Sequence, residues 1–202
     1  MQITAKLVSE LRSRTGSGIM DCKKALVETD GDLDAAIQLL REKGLRASEL
    51  KSGRTVSEGL VVSYIHPGNR VGSMVEINCE TDFVARTENF QQLAKNIAMQ
   101  VAASKPKYVD KEDIPEDVLN SEKAILKTEV LKEGKPDHIA EKIVEGRLSK
   151  FFYSQACLLE QPYIRDTDKT IRQLIQEAIA QLGENIIVKR FALFVLGQEG
   201  SS

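Results

Sequence analysis

From Val71 to Cys79 the chain alternates strictly. Val71, Ser73, Val75, Ile77 and Cys79 fall on one side, and Gly72, Met74, Glu76 and Asn78 on the other, the period of a strand with one buried face. Further on the period changes: Phe90, Leu93, Ile97 and Val101 recur every three to four positions, as on the buried stripe of a helix that Thr87 is placed to cap. The change happens inside Glu80-Thr81-Asp82-Phe83-Val84-Ala85-Arg86, so this stretch is a corner at a sheet end, outside both repeats. Phe83 is out of phase with the helical stripe. Two readings of it stay open. The ring can be a staple packed beneath the helix, the commoner use of a phenylalanine at such a turn, or it can project beside the Asp82 carboxylate as part of a contact surface.

The strand has a partner upstream. Leu60 to Ile65 is β-rich, His66-Pro67-Gly68-Asn69 is a turn signal, and the two runs pair as an antiparallel hairpin. Its register is fixed, because a slip of one residue would turn Val75 and Ile77 to water. After a helix ending near Ser104, Lys105-Pro106 breaks the pattern and Tyr108-Val109 reads as a short extended piece. Pro115 opens a helix reaching Gly134 with Val118, Ile125 and Leu126 on its apolar side, and Pro136 opens another with Ile139, Ile143 and Gly146 on one face. Together they predict a helical hairpin over about 115–150. Gly146 costs roughly 1 kcal/mol in a helix relative to alanine, which predicts close packing against another backbone.

The clearest helical stripe is Ile171, Leu174, Ile175, Ala178, Ile179 and Leu182, stopped by Gly183. Ile186 to Val188 and Phe191 to Leu196 supply a third strand, whose apolar run predicts burial on both faces or a dimer contact. The expected core is α+β, a three-stranded antiparallel sheet packed by helices.

Residues 1–50 form a separate module of three short helices. Thr4 caps the first, with Leu7, Val8 and Leu11 inward; the second starts near Ile19 and buries Cys22, Ala25 and Leu26; Asp32 caps a third carrying Leu33, Ala36, Ile37 and Leu40, stopped by Gly44. Met20, Lys23 and Lys24 lie at the start of the second helix, where cations oppose the helix dipole. They read either as a solvated face with Met20 filling a gap or as a contact patch. Residues 51–58 are a linker, and 59–202 the core domain.

Composition limits the function. A formal net charge of −2 gives no general attraction to nucleic-acid phosphates. The N-terminus lacks a signal-peptide pattern, and no apolar run approaches the ~20 residues needed to cross a bilayer, so a cytoplasmic protein is expected. Cys22, Cys79 and Cys157 are scattered, without Cys-x-x-Cys spacing, and His66 and His138 are isolated, so neither a disulfide framework nor a zinc site is expected. No glycine-rich phosphate loop follows a strand.

The corner resembles a family signature. Glu76-Ile77-Asn78-Cys79-Glu80-Thr81-Asp82-Phe83-Val84-Ala85 is similar to the core motif of the elongation factor Ts family, and Leu11 to Leu26, Gly31-Asp32 and Leu39 to Gly44 are similar to its opening. Ile139 to Leu148 and Leu158-Leu159-Glu160-Gln161-Pro162 resemble its C-terminal core. The resemblance implies a ubiquitin-associated-like N-terminal bundle and a guanine-nucleotide exchange factor for elongation factor Tu, without covalent chemistry or a cofactor of its own. It implies that Thr81, Asp82, Phe83 and Val84 bind Tu, with the Asp82-Phe83 corner inserted near its magnesium and phosphate site, and that Arg12, Met20 and Lys23 dock on the nucleotide-binding domain. It further implies a short form of the family, and hence a homodimer joined partly through Phe191 to Leu196. Two other classes remain: an adaptor that binds a protein through the three-helix bundle, and a cysteine enzyme using Cys79 or Cys157.

Overall fold

The computed structural model describes residues 3–198; residues 1–2 and 199–202, the outer ends of the two expected domains, lie outside the described residues. In chain order the elements are α1 (Ala5–Thr15), α2 (Ile19–Glu28), α3 (Leu33–Lys51), β1 (Glu58–Ile65), β2 (Val71–Cys79), α4 (Asp82–Ala85) and α5 (Glu88–Ser104). There follow α6 (Glu116–Lys132), α7 (Asp137–Arg147), a π-helical turn Leu148–Tyr153, α8 (Ser154–Ala156), β3 (Pro162–Tyr163), β4 (Asp166–Thr170), α9 (Ile171–Leu182) and β5 (Ile186–Val195). The fold is α+β. One sheet has the order β1-β2-β5 and a second pairs β3 with β4. Leu196 N–H donates to Arg70 O at 2.8 Å, placing the end of β5 beside the start of β2, so the three strands are antiparallel.

Two compact units divide the chain. The first comprises Met1–Leu60, Ile77–Ala94 and Gln173–Ile187; the second comprises Val61–Glu76, Lys95–Arg172 and Val188–Ser202.

In the first unit, Leu11, Cys22, Ala25, Leu26 and Ala36 are the buried centre of the three-helix bundle, with Leu7, Val8, Leu33, Ile37 and Leu40 packed around them. The caps follow the sequence: Thr4 Oγ1 accepts from Leu7 N, and Asp32 Oδ1 accepts from Asp34 N and Ala35 N. One expectation fails. Gly44 does not stop α3, which continues to Lys51. A Cβ at Gly44 would lie 3.2 Å from Ala180 Cβ, so this glycine permits close approach of α9 instead of ending a helix. Gly183 does end α9, with φ of 80° and its N–H on Ile179 O.

In the second unit the hairpin turns where expected, with Gly68 and Asn69 both at positive φ and His66 N–H on Val71 O at 2.9 Å. Ser73 and Val75 point into the core; Ser73 Oγ donates to Ala98 O of α5 at 2.6 Å. On the opposite face Val61, Ile65, Met74, Phe194 and Leu196 are exposed, the last four lining a groove of about 710 Å³. Gly72 lies under Ile65 and Arg190 reaches Glu76 at 2.7 Å, which fixes these side chains on that same face. β5 is therefore not buried on both faces within the chain: Phe194 is 68% exposed.

The helical hairpin forms, α6 against α7, and of the residues read as its apolar faces Leu126 and Ile143 pack inward while the others do not. Val130, Ala140, Val144 and Leu148 are its buried centre, joined by Leu119, Leu126 and Ile143, while Val118, Ile125 and Ile139 face outward. Leu119, Leu126 and Val130 follow helical spacing, and Val118 and Ile125 lie one residue, about 100°, off it. Gly146 has nothing within 4 Å of an added Cβ, so no backbone packs against it. Buried Gln100 and Gln161 bond each other at 3.2 Å, and Arg172 binds both Glu160 and Asp110.

Candidate functional site

Local chemistry builds the corner first. β2 ends at Cys79; two residues later Thr81 leaves the strand at φ −129°, ψ 155° and caps α4, its Oγ1 accepting from Val84 N at 3.4 Å. Thr87 then caps α5, as its position predicts, accepting from Phe90 N at 3.3 Å and donating to Val84 O at 2.7 Å. A single helical turn is thus pinned between two threonine caps. Ala85 is its buried residue. Phe83 points the other way and is 78% exposed, which decides between the two readings of the ring: it is no staple. Asp82 pairs with Arg86 at 2.8 Å one turn later, and Val84 is half-buried.

Long-range contacts hold the turn from behind. Glu184, just past the end of α9, takes three hydrogen bonds: Glu80 N–H at 3.1 Å and Thr81 N–H at 3.0 Å on Oε2, and the Thr81 hydroxyl at 2.6 Å on Oε1. Glu80 Oε1 accepts in turn from Asn185 N–H at 2.7 Å. Asn185, 3% exposed, donates through Nδ2 to Ser52 O and Arg54 O. Gln181, on the last turn of α9, donates to Thr15 O at 3.0 Å at the C-terminal end of α1. Five residues of chain therefore anchor the corner, the end of α3 and the end of α1. Sequence reasoning missed Gln181, Glu184 and Asn185, and gave Glu80 no role beyond its place in the motif. Polar residues on either side of a stop glycine look like any loop, and no local signal marks them.

The bundle residues sit in the same unit on other elements. Arg12 is exposed on α1; Met20, 63% exposed, and Lys23 are exposed on α2. Met20 therefore fills no gap. With Lys23 and Val27 it makes a stripe at i, i+3 and i+7, and Ile19 stands exposed beside it. Ile19 and Val27 were not singled out from the sequence, where both look like core.

The cysteines are poorly suited to nucleophilic work. Burial pushes the Cys79 thiol up to about 11, with the Glu184 carboxylate adding to the effect, and it pushes Cys157 up to about 12, with Asp110 adding. A catalytic thiol needs the opposite shift. Cys79 Sγ instead donates to Thr81 O at 3.2 Å, one more tie on the corner.

An exposed aromatic ring carried on a turn capped at both ends, with a second apolar and basic stripe in the same unit, is the equipment of a protein that works by docking onto another macromolecule. The comparisons make the class specific. The family model described as elongation factor TS matches residues 28–198. Elongation factor Ts of Caldanaerobacter subterraneus is 58% identical over 196 residues, covering 97% of this chain and 98% of the relative. That of Syntrophomonas wolfei is 57% identical over 97% of this chain and 91% of the relative, and that of Geotalea uraniireducens 56% identical over 98% and 91%. The chain belongs to the elongation factor Ts family, and its role is that of a translation elongation factor.

Proposed function

We propose that the protein acts as a guanine-nucleotide exchange factor for elongation factor Tu, releasing GDP by inserting the Asp82-Phe83 corner near the partner's magnesium and phosphate site. The observation that carries this reading is the solvent-facing ring of Phe83 on a turn whose backbone is held from both sides. A nucleotide bound with nanomolar affinity is held by about 12 kcal/mol. Opposing it takes binding energy that is larger for the nucleotide-free partner, and linkage then requires that nucleotide weaken the factor equally. A ten-thousandfold shift takes roughly 5.5 kcal/mol of differential contact, which a desolvated aromatic wedge and a second docking surface can supply together.

In this reading Phe83 enters an apolar crevice, Asp82 orients the contact, and Thr81 and Val84 support the turn. Arg12, Met20 and Lys23 dock on the nucleotide-binding domain. Exposed ion pairs contribute only about 0.2–1 kcal/mol, so Met20 packing matters more than either cation there. Displacing the groups that hold the partner's magnesium removes charge stabilisation from the β-phosphate, and GDP leaves. No bond is made or broken, and no cofactor of the factor's own is used. Residues 1–50 act as a docking module, 51–58 as a linker and 59–202 as the core. Mixing the protein with Tu carrying fluorescent GDP, in excess unlabelled GDP, tests the reading: the signal should decay many times faster than spontaneous loss, and a decay equal to the spontaneous one contradicts it.

We also propose a homodimer. The face bearing Val61, Ile65, Met74, Phe194 and Leu196 is an exposed apolar surface on a sheet, and β5 is an edge strand of that sheet. A two-fold axis would cover this face with its own copy.

A further inference from the structure

The hydrogen bonds behind the corner do more than tie off loose ends. Glu80 N–H, Thr81 N–H and the Thr81 hydroxyl all converge on one carboxylate, that of Glu184. The same hydroxyl accepts from Val84 N, the amide next to Phe83 in sequence, so the carboxylate is one hydrogen bond removed from the turn that carries the ring. Charge-assisted bonds of this kind are about twice as strong as neutral ones and fix direction. Glu184 owes its own placement to Gly183, whose positive φ turns the chain out of α9, and to Asn185, whose buried amide is bonded to the end of α3. The acid comes from a helix end more than a hundred residues away in sequence, so it adds to the local threonine caps a restraint that the corner's own sequence does not supply.

We infer that Glu184 is a positioning residue for nucleotide exchange: it holds the Thr81 corner in the inserting conformation before the partner arrives, so that Phe83 enters without first paying the entropy of ordering its turn. The inference rests on the corner acting as the wedge. Preorganisation of this sort raises the population of the inserted state in the complex and leaves the first docking step, on the bundle stripe, unchanged. Glu184 therefore governs the limiting rate of GDP release, not the concentration of factor that half-saturates it.

The test is a cycle of Glu184→Gln, Phe83→Ala and the double variant, each titrated against Tu loaded with fluorescent GDP. Glutamine keeps the shape but removes the charge and turns an NH2 toward donors. We expect Glu184→Gln to lower the limiting rate about tenfold, the scale set by hydrogen bonds to a charged acceptor, while the half-saturating concentration stays within about twofold. In the Phe83→Ala background the same change should alter the limiting rate by less than about twofold, because its route through the ring is gone. A merely structural role would instead lower the active fraction, raising the half-saturating concentration at an unchanged limiting rate. That result overturns the inference, as does an equal loss in both backgrounds. A slow Phe83→Ala with a normal Glu184→Gln removes Glu184 alone; a normal Phe83→Ala removes the wedge, and the route through it as well. If the glutamine variant melts early, Glu184→Asp, which keeps the charge but withdraws it by one methylene, is put through the same cycle.

Discussion

The hydroxyl of Thr81 donates to the carboxylate of Glu184 at 2.6 Å across 103 positions of sequence, and it accepts the N–H of Val84 in the same arrangement. One threonine thus joins a local helix cap to long-range packing. Thr81→Val removes both bonds while keeping the volume, and should lower unfolding free energy by about 1–2 kcal/mol, the range for a lost cap. Thr81→Ser should recover most of it. Urea titrations of the three proteins check this, and a valine variant as stable as the parent contradicts it.

Two helical glycines should respond to alanine with opposite signs. At Gly44 the new methyl would meet Ala180 Cβ at 3.2 Å, whereas at Gly146 it would meet nothing within 4 Å. Gly146→Ala should therefore stabilise by about 0.5–1 kcal/mol, the helix-propensity difference. Gly44→Ala should gain less than that or lose, because α9 must shift to admit it. Thermal melts of the pair decide, and equal gains at both sites would contradict the close approach at Gly44.

Asp110 gives a pH signature. Burial raises its carboxyl, but the hydrogen bond from Arg172, the Lys111 amide and the Arg172 charge outweigh burial and hold it below the ordinary 3.8. A carboxyl that is more acidic folded than unfolded contributes stability above its unfolded value, and loses it as pH falls through that value toward the folded one. Asp110→Asn should therefore cost stability at neutral pH, with the gap from the parent narrowing below about pH 4. Denaturation at a series of pH values reads this directly; a gap that does not change would show that the pair with Arg172 contributes nothing.

The exposed sheet face predicts an assembly. Phe194→Lys places a charge in the middle of the apolar surface of β5, and should turn a dimer at micromolar concentration into a monomer while the melting temperature of the monomer fold is retained. Sedimentation equilibrium of parent and variant checks it. A monomeric parent removes the dimer altogether.

Much of this was legible in the chain because burial there is one-sided and periodic. The alternation ending in Ile77 and Cys79, the stripe Phe90, Leu93, Ile97 and Val101, and the stop at Gly183 all appear as read. Where both neighbours are apolar, the period is ambiguous: Val118 and Leu119, Ile125 and Leu126, and Ile139 and Ala140 offer two stripes each, and only the packing of α6 on α7 selects the inner one. β4 was missed because Asp-Thr-Asp-Lys-Thr has no apolar side to alternate. Glycine misled twice in opposite ways, as a stop at Gly44 and as a close contact at Gly146, since a lone glycine in a helical pattern does not say which of its properties is used. The candidate site divides along the same line. Thr81 to Val84 stand out by type and position, whereas Glu184 and Asn185 act only through tertiary structure.

The proposed exchange depends on one ring facing solvent and entering a partner. Stopped-flow release of fluorescent GDP from elongation factor Tu, at saturating factor, compares the parent with Phe83→Ala. Because the ring makes few contacts within its own chain, the variant should melt with the parent. Its limiting release rate should fall by about thirtyfold or more, as for an aromatic hot spot worth at least about 2 kcal/mol. A variant that releases GDP as fast as the parent would contradict the wedge.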